Sequence, residues 1–179
     1  MKLNPSLRLS TLFVLAFCCL AGCRSSQHVE FVKSANDTNI KKMGNAYMLY
    51  ASWSNYTGPG SLEELKSFLT SDARIEKNLQ LMGIERENVD QYFISENDGK
   101  EFEFRWGVFI NPDRQRSTEP LVFEKEGKDG TRLVMLSNRK ILEVNNDRKY
   151  EKLLTGKIDR EDAITDLEKE EEAQLNAAE

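Results

Sequence analysis

Two hydrophobic periods share this chain, and each keeps to its own stretch. In the first, Ile40, Met43, Tyr47, Tyr50 and Trp53 recur at spacings of three and four. One helical face carries all five, while Lys41, Lys42 and Asn45 fall away from it. In the second, Phe102, Phe104, Trp106, Val108 and Ile110 recur at a spacing of two, opposite Glu101, Glu103 and Arg105. That alternation is the mark of a half-buried antiparallel strand. The change of period, at about Tyr92, predicts an α+β fold in which a long N-terminal helix packs on a small antiparallel sheet.

Local signals place the elements. A helix is expected over residues 34–54, with its aromatic stripe in the core. Gly44 costs about 1 kcal/mol in a helix interior and suits close packing against a sheet. Thr57-Gly58-Pro59-Gly60 breaks that helix. Ser61-Leu62-Glu63-Glu64 reads as a capping box, Ser61 as N-cap and Glu64 three residues on. The helix it opens is expected to bury Leu62, Leu65, Phe68 and Leu69. A further helix covers 72–82, stopped by Gly83. Tyr92-Phe93-Ile94 reads as a short strand, Asn97-Asp98-Gly99 as a hairpin turn, and 102–110 as the returning strand. Pro112 ends it, and a polar loop runs to Pro120. Three more strands (121–125, 131–137 and 141–144) and a short helix near 147–154 complete the domain.

The first twenty-odd residues have a different character. Met1-Lys2 and Arg8 precede an unbroken apolar run of nine residues, 12–20. At ~1.5 Å per helical residue, the run covers less than half of a ~30 Å hydrocarbon layer. A basic start, a short apolar centre and a small-residue end make a signal peptide. Its end, Leu20-Ala21-Gly22-Cys23, resembles the lipobox of bacterial lipoproteins. That resemblance implies cleavage between Gly22 and Cys23, diacylglyceryl transfer to the Cys23 thiol, and acylation of the freed amine. Two or three such chains hold firmly, at ~0.8 kcal/mol per buried CH₂. Cys18 and Cys19 leave with the leader, so the mature chain has no thiol for a disulfide. Arg24 stands where Asp favours inner-membrane retention, which favours the outer membrane for a periplasm-facing protein.

The expected organisation is a signal peptide at 1–22, a tether at 23–33, a domain at 34–156 and an acidic tail at 157–179. The tail holds nine acidic residues against three basic ones. With Lys2 and Arg8 removed, the stretch 23–156 is left near neutral. Nucleic acid is not an expected partner, because no basic footprint is concentrated there. The tail reads as a solvated, partly helical segment.

The order of elements resembles the type II secretion pseudopilins and related pilin-like proteins. The resemblance rests on Ala46-Tyr47-Met48-Leu49-Tyr50-Ala51, then Asn55, Gly58-Pro59 and Ser61-Leu62-Glu63-Glu64-Leu65. It continues in Glu119-Pro120-Leu121-Val122-Phe123-Glu124-Lys125 and Asp129-Gly130-Thr131-Arg132-Leu133-Val134-Met135-Leu136, which is similar to the C-terminal part of planctomycete-type pilin-like domains. It implies the globular half of such a fold. A lipobox stands where those families carry an assembling apolar helix. Ser137-Asn138-Arg139-Lys140 stands where they carry an Asp-Gly-His turn, so no role of that turn passes to this chain.

Catalytic constellations are scarce. The one histidine, His28, sits in the tether, where it is not held as a base must be. Serine or cysteine nucleophiles therefore lack a partner, and zinc sites built from Cys and His cannot be assembled on the mature chain. Gly58-Pro59-Gly60 lacks the lysine and strand–loop–helix context of a phosphate loop. The carboxylates, Glu101 and Glu103 among them, read as solvated surface. Asn97 and Asp98 are a candidate calcium loop, beside the plainer reading of a turn. Asn36-Asp37-Thr38 and Asn55-Tyr56-Thr57 match the glycosylation sequon by composition alone. The expectation is a non-enzymatic, lipid-anchored envelope protein without a cofactor, with a structural or protein-interaction role in a secretion- or pilus-like assembly. A carboxylate-based glycan hydrolase and a calcium-stabilised binding module are the alternatives.

Overall fold

The computed structural model describes residues 36–110 and 118–156. The expected signal peptide, the tether with Cys23 and His28, and the acidic tail lie outside the described residues. The architecture is α+β. Among the described residues, four α-helices, α1 (Asn39–Trp53), α2 (Leu62–Ser71), α3 (Glu76–Met82) and α4 (Asp147–Leu154), accompany four strands, β1 (Glu103–Phe104), β2 (Pro120–Phe123), β3 (Arg132–Leu136) and β4 (Ile141–Val144). The strands form one antiparallel sheet in the order β1-β2-β3-β4. No described helix is long and apolar enough to cross a membrane.

The sheet is covered on both faces. On one, Leu121, Val122 and Met135 join Ile40, Met43 and Tyr47 of α1 and Leu65 and Leu69 of α2. On the other, Phe123, Val134, Leu136, Leu142 and Val144 pack with Tyr150 and Leu153 of α4. Double coverage explains why β2 and β3 read as continuous apolar runs rather than alternating ones. A register shift between Pro120 and Val122 lets the neighbours Leu121 and Val122 serve the same core. Gly44 is where α1 meets the sheet: a Cβ there would lie 2.5 Å from Met135 Cγ.

Several expectations need correction. The helix expected over 34–54 begins at Asn39, because its start is held from a distance. The Asn39 amide donates to Glu96 Oε1 at 2.7 Å, and Asn39 Nδ2 donates to the Ile94 carbonyl at 2.9 Å. A carboxylate at the first turn also suits the helix dipole. Trp53, expected in the core, is exposed; Gly44, Ala46 and Ala51 line the buried face instead. Tyr92 and Phe93 belong to a 3-10 segment, Arg86–Phe93, and only Ile94 bridges, to Glu101. The long returning strand is cut to Glu103–Phe104, since Gly107 takes φ +66° and turns the chain away from the sheet.

The capping box forms in half. The Glu64 amide donates to Ser61 Oγ at 3.2 Å, but the Glu64 carboxylate serves other donors, the Gly60 amide at 2.6 Å and the Tyr50 hydroxyl. Gly83 caps α3 in the left-handed region as expected.

Candidate interaction surface

Beyond Gly107 the chain pairs with the segment that follows α1. Gly107 N donates to the Pro59 carbonyl at 2.8 Å, Gly58 N to the Val108 carbonyl at 2.9 Å, and Ile110 N to the Tyr56 carbonyl at 2.7 Å. Thr57 and Phe109 sit opposite each other in this small antiparallel bridge. The buried Tyr47 side chain fastens it from below. Its hydroxyl donates to the Arg105 carbonyl at 2.7 Å and accepts from the Val108 amide at 3.1 Å.

This ladder sets Phe109 against the segment that follows Trp53 and carries Tyr56, and all three aromatic residues are exposed. Trp53 is 47%, Tyr56 45% and Phe109 60% exposed. The Arg74 guanidinium lies over the Trp53 ring, 4.5 Å from its centroid. The backbone that presents Tyr56 is strained: Asn55 has φ +48° and Tyr56 φ +61°. Left-handed backbone costs a residue with a Cβ about 1–2 kcal/mol. Here two such residues stand in succession, and the hydrogen bond from Tyr56 N to the Ala51 carbonyl at 2.8 Å retains the turn. α1 is thus followed by two successive left-handed residues beside exposed aromatic side chains. α1 is about 21 Å long at 1.5 Å per residue, and this surface lies at its C-terminal end, with Asn36 before its N-terminal end.

Asn97 and Asp98 lie elsewhere, on the loop after Ile94. Their polar atoms hold protein groups. Asn97 Nδ2 donates to Glu124 Oε1 at 2.7 Å. Asp98 Oδ2 accepts from the Glu126 and Gly127 amides at 2.9 Å each, and Oδ1 from the Lys100 amide at 2.9 Å. Partial burial pushes the Asp98 pKa up, but these amides and the Lys100 charge outweigh it and hold the carboxyl below its usual value. The arrangement clasps two turns together. No group of three or more His, Cys, Asp or Glu residues that could hold a metal ion occurs among the described residues.

Glu124, next to this clasp, departs from the expectation of solvated carboxylates: it is only 2% exposed. Oε1 accepts from Ser95 Oγ at 2.7 Å as well as from Asn97, and Oε2 accepts from the Leu133 amide at 2.8 Å. Glu101 and Glu103 are half-buried beside the sheet edge.

Sequence reasoning missed the aromatic surface because helical spacing placed Trp53 with the core. A signal was available in Gly107, two residues before Phe109, since glycine inside a strand pattern marks a bend. Compared with protein-family models, curated proteins and solved structures, the chain matches none.

Proposed function

We propose that this chain is a lipid-anchored cell-envelope protein, fixed through Cys23, that works by protein contact and not by catalysis. The observation that carries the reading is that Trp53, Tyr56 and Phe109 are all exposed near the end of α1, with Tyr56 on left-handed backbone. The Leu20-Ala21-Gly22-Cys23 motif supplies the anchor, cleaved after Gly22, and Arg24 the preference for the outer membrane with the domain facing the periplasm. A chain tethered before α1 would carry the aromatic surface away from the bilayer, where other envelope proteins can reach it. A pilin-like globular half is the finer fold reading. A helix seated on an antiparallel sheet through Gly44 supports it, and with it a place in a secretion- or pilus-like assembly.

The test has two arms in the producing cell. Metabolic labelling with an alkyne fatty acid should mark the protein, and Cys23→Ser should abolish both label and processing. A photo-crosslinker at Phe109 should give a discrete adduct with one envelope protein, and one at Glu143, on β4, should not. Retained label in Cys23→Ser removes the anchor; matching adduct patterns from both positions remove the contact surface.

A further inference from the structure

The chain contains the dipeptide Asp-Gly twice, at Asp98-Gly99 and at Asp129-Gly130, and the fold treats the two oppositely. Asp-Gly is the sequence in which an aspartyl side chain is most easily attacked by the following amide, because glycine offers no Cβ to hinder the approach. The Gly nitrogen bonds to the Asp Cγ, water leaves, and a succinimide ring results. Water then adds to either ring carbonyl. One addition restores aspartate; the other leaves isoaspartate, with the backbone rerouted through the β-carbon and no net change in composition.

At Asp98-Gly99 every group this reaction needs is engaged. Three backbone amides hold the carboxylate, and the Gly99 amide donates to the Ser95 carbonyl at 3.0 Å. Asp129-Gly130 forms the exposed two-residue turn between β2 and β3. Lys128 N donates to the Thr131 carbonyl at 2.8 Å and Thr131 N to the Lys128 carbonyl at 2.9 Å. Asp129 at φ +52° and Gly130 at φ +79° both take the left-handed conformation such a turn requires. Among the described residues, no hydrogen bond or ion pair restrains the Asp129 carboxylate or engages the Gly130 amide.

We propose that Asp129 is the site at which this protein isomerises spontaneously to isoaspartate, and that Asp98 is guarded against the same reaction by the clasp around it. This inference is independent of the anchor and of the aromatic surface.

The full-length protein is aged in detergent at neutral pH and digested after glutamate. Isoaspartate is then read in peptides 127–143 and 97–101 by enzymatic methylation, with mass separating aspartate isomerisation from Asn97 deamidation. In the native protein, peptide 127–143 should accumulate isoaspartate at least about tenfold faster than 97–101, the ratio that a modest local opening energy at Asp98 would impose. In guanidinium chloride the two rates should converge. Equal native rates, a faster rate at Asp98, or the same ratio in denaturant would each overturn the proposal.

Discussion

The hydroxyl of Tyr47 occupies the space a side chain on Gly58 would need: a Cβ at Gly58 would lie 2.1 Å from Tyr47 Oη and 2.2 Å from the ring. The ring is fully buried, so it cannot swing away as a surface side chain would. Gly58→Ala should therefore destabilise the domain by about 1–3 kcal/mol through overpacking. Tyr47→Phe should cost a similar ~1–3 kcal/mol for another reason, since the Val108 amide loses its acceptor and the Arg105 carbonyl its donor. Urea unfolding of the two variants measures both. Tyr47→Phe should also speed amide exchange at Val108, which a change confined to α1 would not do.

Glu124 joins β2 to the loop that carries Asn97 and Asp98. Among the described residues its two oxygens face only donors, the Ser95 hydroxyl, the Asn97 amide group and the Leu133 amide. Glu124→Gln puts an NH₂ group against at least one of them. A loss of about 1–3 kcal/mol is expected, the cost of a buried polar group left unmatched. Glu124→Ala should lose at least as much, because all three donors are then orphaned. Stability of Glu124→Gln within experimental error of the parent would show that the carboxylate is not needed as an acceptor.

The two hydrophobic periods were enough to read the fold class, and local chemistry was enough to read several elements. Ile141–Val144 and Asp147–Leu154 stand at the bounds expected of them, and Gly83 ends α3 as its left-handed conformation requires. Long-range contacts account for the misses. The start of α1 depends on Glu96, fifty-seven residues away. The strand after Phe104 is lost to a competing partner, the 56–59 segment, which spacing within 102–110 cannot reveal. Trp53 satisfies the helical spacing but is exposed, with Arg74 over its ring in place of the core. Glu124 looked solvated because its donors come from Ser95 and Asn97, on a loop that sequence alone does not bring near.

Stability should fall in alkali through two particular phenols. Burial pushes the pKa of Tyr47 from its ordinary 10 up to about 12, and burial with the nearby Glu103 charge does the same to Tyr150. In the unfolded chain both ionise near the ordinary value. Between roughly pH 10 and 12 the unfolded state has therefore released protons that the native state still holds. Stability is fully present below that window and declines as pH rises through it. Urea midpoints should hold steady as pH approaches 10 and drop beyond it, with late tyrosinate absorbance tracking unfolding. Tyr150→Phe should flatten the decline at little cost at neutral pH, since the buried Tyr150 hydroxyl has no hydrogen-bond partner among the described residues. A slope unchanged in Tyr150→Phe would assign the alkaline loss elsewhere.

Tyr56 offers a direct test of whether stability has been given up at the aromatic surface. At φ +61° its Cβ is penalised by about 1–2 kcal/mol, and glycine would escape that penalty. Glycine also gains freedom in the unfolded chain, which offsets about 0.5–1 kcal/mol of the relief. Tyr56→Gly should therefore raise the unfolding free energy slightly, by up to about 1 kcal/mol, whereas Tyr56→Ala keeps the strained backbone and should not. The side chain is nearly half exposed, so its removal costs little packing. If the surface exists for contact, Tyr56→Gly will also weaken the adduct formed from a crosslinker at Phe109, because the ring and its fixed presentation are lost together. A gain in stability with that loss is the signature of a residue kept for binding. A Tyr56→Gly variant less stable than Tyr56→Ala would mean that the ring holds the turn together, and the strain would then be structural.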